Sequence, residues 1–102
     1  NYTGVLIEDS VIGSGAASLT DPGVNNRSVS GVLVAGGDNG TIRNNVIANA
    51  GQFGTFLTND SDGWTVSGND FRLNGRENTG RDGIDIGNLS GGQSITGNYF
   101  FQ

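Results

Sequence analysis

A six-residue pattern, aliphatic-x-x-Asn-x-aliphatic or aromatic, returns along the chain and narrows what it can fold into. The full copies are Ile42-Arg-Asn-Asn-Val-Ile47, Val66-Ser-Gly-Asn-Asp-Phe71 and Ile95-Thr-Gly-Asn-Tyr-Phe100. Ile7-Glu-Asp-Ser-Val-Ile12 is a fourth, with Ser in place of Asn. Ahead of each full copy stands a glycine followed by apolar residues: Gly31-Val-Leu-Val34, Gly54-Thr-Phe-Leu57 and Gly83-Ile-Asp-Ile86. Self-similarity at such a period marks a stacked-repeat architecture. The lead residues Ile7, Ile42, Val66 and Ile95 lie 35, 24 and 29 residues apart, yet the step from glycine to lead residue is 11, 12 and 12. Each unit therefore has a nearly fixed length. The insertions fall after the second apolar anchor, in 13–30, 48–53 and 72–82, as loops on one corner of a solenoid do.

Within a unit the apolar residues alternate, which is the period of a strand. Val32 and Val34, Thr55 and Leu57, and Ile84 and Ile86 are expected to point inward, with Leu33, Phe56 and Asp85 outward. In the second half Ile42, Asn45 and Ile47 face in, and Arg43 and Val46 face out. No 3.6-residue apolar stripe persists, so helix is not expected. Glycine makes up 19 of 102 residues, far above the ~7% of ordinary proteins. Regular apolar punctuation assigns that excess to turns needing φ > 0 rather than to disorder. The single proline, Pro22, falls in the first long connection.

Asn45, Asn69 and Asn98 hold matched positions. In a parallel stack identical amides lie ~4.8 Å apart and can bond along the axis as a ladder. The bend beside them needs residues that tolerate the left-handed region, and Asn and the preceding Asn44, Gly68 and Gly97 all do.

The net charge of −5, with five Arg, argues against a nucleic-acid backbone as partner. With no cysteine the chain carries no disulfide. No apolar run nears the roughly 20 residues that span a bilayer, so membrane insertion is not expected. The absence of an initial Met and of a leader segment suggests a piece of a longer protein.

The unit Gly-[VTI]-x-[VLI], a Gly/Asp-rich turn, then [IV]-x-x-Asn-x-[IF], resembles the right-handed parallel β-helix repeat family. That is the fold of pectate-lyase-like proteins and of secreted bacterial surface proteins. The likeness covers 31–100 well and 4–12 in part. It implies an all-β, right-handed parallel β-helix of three to four rungs near 4–12, 31–47, 54–71 and 83–100. The whole of 1–102 would be a single segment of a longer solenoid or assembly. It also implies a secreted or cell-surface location. The scaffold carries lyases, hydrolases, adhesins and structural spans, so it does not name an activity.

Three places could carry chemistry. Asp38 and Asp62 each precede their lead residue by four and should stack in adjacent rungs, with Asp60 beside them. Stacked carboxylates repel unless screened, so this is either a solvated acidic turn or a Ca²⁺ site. The run Thr58-Asn-Asp-Ser-Asp-Gly63 opens like an EF-hand loop, but Thr58 stands for its first Asp and Asn69 for its last Glu. Glycoside hydrolysis needs two acids ~5–10 Å apart. Asp85 has Phe56 and Leu33 as rung equivalents, and Asp82 has Arg81 beside it. Polygalacturonase-like relatives of the fold use a His-bearing motif, and this chain has no His. Pectate-lyase-like ones use an Arg base with calcium; Arg72, Arg76 and Arg81 are present without a matching motif. Outward aromatics come third: Phe56 above Leu33, Tyr99 with Phe101, and Trp64 heading a strand. They could stack on a sugar ring or lie under the connection 13–30. Glu8 and Arg43 should form a cross-strand ion pair.

The chain is thus expected to be a non-catalytic structural or adhesive segment that spaces or presents binding surfaces. A carbohydrate-active module (lyase, hydrolase or glycan binder) is one alternative, and a filament subunit stacking end to end is another. No cofactor is required apart from the calcium question. The partners expected are adjoining rungs of the same or another chain at the open ends, or a polysaccharide.

Overall fold

A computed structural model describes residues 3–14, 20–77, 83–87 and 91–101. Those residues form eleven short strands and no helix. They are β1 (Leu6–Glu8), β2 (Val11–Ile12), β3 (Val32–Ala35), β4 (Thr41–Arg43), β5 (Val46–Ala48), β6 (Thr55–Thr58), β7 (Thr65–Ser67), β8 (Asp70–Arg72), β9 (Ile84–Ile86), β10 (Ser94–Thr96) and β11 (Tyr99–Phe101). The chain visits three sheets in rotation, each strand pairing with the one three later. The sheets run β1-β4-β7-β10, β2-β5-β8-β11 and β3-β6-β9, and every pairing is parallel. This all-β arrangement of parallel sheets is compatible with a parallel β-helix.

The alternation in sequence becomes columns in space. Ile7, Ile42, Val66 and Ile95 are in register across the first sheet, and Ile12, Ile47, Phe71 and Phe100 across the second. Val34, Leu57 and Ile86 align in the third. Ile42, Ile47, Leu57, Val66 and Phe71 are fully enclosed, with Trp64 closing the same core. Thr55 occupies the inward column between Val32 and Ile84. Its buried hydroxyl has no partner among the described residues, a polar group placed where the column calls for an aliphatic one.

The glycine that opens each unit faces the bulky inward residue that closes it. A Cβ on Gly31 would come within 2.6 Å of the Ile47 side chain, on Gly54 within 2.8 Å of the Phe71 ring, and on Gly83 within 2.4 Å of the Phe100 ring. No real Cβ is accommodated at such distances, so each of these three positions requires glycine. The sharp bend between each first-sheet strand and the second-sheet strand that follows it falls on the residue before the ladder position. Asn44, Gly68 and Gly97 have φ of 57°, 64° and 63°, and Asp9 has 53°. Asn45, Asn69 and Asn98 are not themselves left-handed, so the bend is not their task.

The ladder is bonded from rung to rung. Asn69 Oδ1 accepts both the backbone N–H and the side-chain amide of Asn45, each at 3.0 Å. Asn98 Oδ1 accepts the same two groups from Asn69, at 2.9 and 3.0 Å. The second amide hydrogens go to the carbonyls of Ile7, Ile42 and Val66. In the first rung Ser10 donates its N–H to Asn45 Oδ1 and turns its hydroxyl back to the Glu8 carbonyl.

The insertions are not expelled whole. Arg72, assigned to a loop by the sequence pattern, belongs to β8. Beyond it the chain stays in register: Asn49, Arg76 and Glu77 donate their N–H groups to the carbonyls of Arg72, Ala50 and Gly51. Segment 28–31 joins this corner, with Gly51 and Gln52 donating to the Ser28 and Val29 carbonyls. Buried Asn74 clasps it as the ladder does elsewhere, accepting from Ala50 N–H at 3.0 Å and donating to the Ile47 carbonyl at 2.9 Å. The connection 13–30 was one expected cover for Leu33 and Phe56. Leu33 stays 61% exposed, and Phe56 packs on Phe53, its centroid 5.2 Å away.

Candidate functional site

The acidic turn is built as its spacing requires. Asp38 and Asp62 sit in adjacent rungs, because each precedes by four residues a lead residue, Ile42 or Val66, and those two are paired in the first sheet. Asp38 Oδ1 accepts the Asp62 backbone N–H at 3.0 Å, and Asp62 Oδ1 accepts the Gly91 N–H at 2.9 Å. Each carboxylate thus has a donor from the rung below, which eases the repulsion along the stack. Asp60 lies in the preceding left-handed pair Asn59–Asp60 and is exposed. Among the described residues no three His, Cys, Asp or Glu side chains converge in a cluster able to hold a metal. Calcium, which takes six to eight oxygens, would here have to draw on carbonyls and water as well.

A second polar cluster holds the first long connection against the stack. Arg27 makes a bidentate pair with Asp21, Nε to Oδ1 at 3.0 Å and Nη2 to Oδ2 at 2.7 Å. Its other nitrogen lies 3.5 Å from Glu77, and Arg76 lies 3.7 Å from Asp21. Arg76 also donates to Asn49 Oδ1, and Asn49 donates to the Ser14 hydroxyl. Hydrogen bonding from Arg27 holds the Asp21 carboxyl well below the usual range, against an opposing push from burial. The Asp21 carboxylate in turn raises Arg27.

A folded pKa below the unfolded one gives stability that is complete above the ordinary value of 3.8 and drains away as pH falls beneath it. The grip on 20–30 should therefore hold from neutrality down to that value and loosen only at lower pH. Amide exchange at Gly51 and Gln52, corrected for intrinsic rates, reads this directly. Arg27→Gln should speed their exchange at pH 6, and unchanged rates there would show that the cluster does not hold the segment.

The third cluster lies on the outer face of the second sheet. Register sets Tyr99 beside Asp70 and Phe101 beside Arg72. Tyr99 and Phe101, two apart on β11, present near-parallel rings with centroids 6.5 Å apart. The Arg72 guanidinium sits 6.0 and 5.9 Å from the two ring centres and is itself held by both oxygens of Asp70. The result is an exposed aromatic ledge with a charged rim. Sequence reasoning saw its rings but not Arg72, because that residue was counted as loop.

Elsewhere the outward charges pair locally. Arg43 and Glu8 meet at 2.8 Å on exposed positions, an ion pair contributing ~0.2–1 kcal/mol. Asp85 stands in register with Phe56 and, beyond it, Leu33, as its spacing implied. Arg81 and Asp82 lie outside the described residues.

No family model, no curated protein and no solved structure matches this chain.

Proposed function

We propose that the chain is a right-handed parallel β-helix of three to four rungs and serves as a stiff, non-catalytic scaffold. It would space or present adhesive surfaces of a secreted or cell-surface protein, with further rungs adjoining its ends. The supporting observation is the amide column through the rungs, in which buried Asn45 and Asn69 each donate backbone N–H and side-chain amide to the Oδ1 of the next Asn. Such a column resists bending and register slip. The outer carboxylates favour the same reading, since Glu8, Asp21 and Asp70 are each committed to an arginine. No helix of the described residues is long and apolar enough to cross a membrane.

The test combines two assays on the whole chain. Limited proteolysis should leave the rungs 31–47 and 54–71 uncut while denatured chain is digested. Incubation with neutral and acidic polysaccharides, with calcium or with chelator, should release neither reducing ends nor unsaturated products. Release of either, in any arm, would replace the scaffold by an enzyme.

The Tyr99–Phe101–Arg72 ledge favours a second reading, a glycan-binding module. Flat rings flanked by a polar pair suit the apolar face of a pyranose. Retention on a neutral polysaccharide, weakened about fivefold by Tyr99→Ala, is its expected signature. No retention on any glycan would remove it.

A further inference from the structure

We draw no further inference here: the strongest candidate, the apolar patch that Leu33 and Phe56 form on the outer face of the third sheet, is an unpartnered sheet face, and nothing in the structure shows what covers it.

Discussion

Asn69→Ala should come close to unfolding the chain, whereas Asn98→Ala should be tolerated. Asn69 is buried at the centre of the amide column. Its loss strands the buried Asn45 backbone N–H and one hydrogen of the Asn45 side-chain amide, and takes one donor from the Ile42 carbonyl. Each buried orphan costs ~1–3 kcal/mol, so the sum is on the order of 4 kcal/mol. Domains of this size have only ~5–15 kcal/mol in hand. Asn98 makes the same kinds of bond, but it lies in the outermost described rung, where solvent can substitute, and its loss should cost about 1 kcal/mol. Urea titration of the two variants settles the matter. Equal losses would mean that the column is not what binds the rungs together.

Phe71→Ala should cost ~3–5 kcal/mol, the usual toll for emptying a buried aromatic position. Phe71 is enclosed in the core and stacks on Phe100 with centroids 5.0 Å apart and planes 6° from parallel. Gly54→Ala acts through the same contact from the other side. Its new methyl would lie 2.8 Å from the Phe71 ring and 2.8 Å from the Gly83 carbonyl oxygen, an overpacking worth ~1–3 kcal/mol. The two changes should not add. With the ring gone, the methyl occupies part of the space it leaves, and the double variant should be ~1 kcal/mol more stable than the sum of the singles. Strict additivity would mean that the Gly83 carbonyl, not the ring, is what demands glycine at 54.

The columns were legible because a strand stack repeats its inward chemistry at constant offsets. Ile42 over Val66 and Asn45 over Asn69 needed only a count of residues. The pairing of Glu8 with Arg43 and the stacking of Asp38 with Asp62 followed from the same count. What escaped was held by backbone groups, which leave no mark in the side-chain pattern. The corner formed by 28–31, 48–53 and 72–77 is such a case, since its carbonyls and N–H groups pair whatever residues carry them. Asn74 could have betrayed it: it follows Asn69 by five, as Ala50 follows Asn45, but a single polar residue in a presumed loop gives no period to read. Arg72 escaped for the same reason, and with it the rim of the aromatic ledge. The acidic turn was placed correctly, yet its N–H donors come from Asp62 and Gly91 backbone, which spacing cannot reveal.

The amide column also has a direction. Asn45, Asn69 and Asn98 each accept at Oδ1 from the β1 side, and Asn45 and Asn69 each give one amide hydrogen to the next Oδ1 on the β11 side, so these side-chain dipoles add head to tail. One extremity is closed by the Ser10 N–H, which donates to Asn45 Oδ1, while the Ser10 hydroxyl turns back onto its own rung. The other presents the Asn98 amide, so the molecule is electrically polar along its length, and whatever meets that extremity is favoured if it leads with an oxygen.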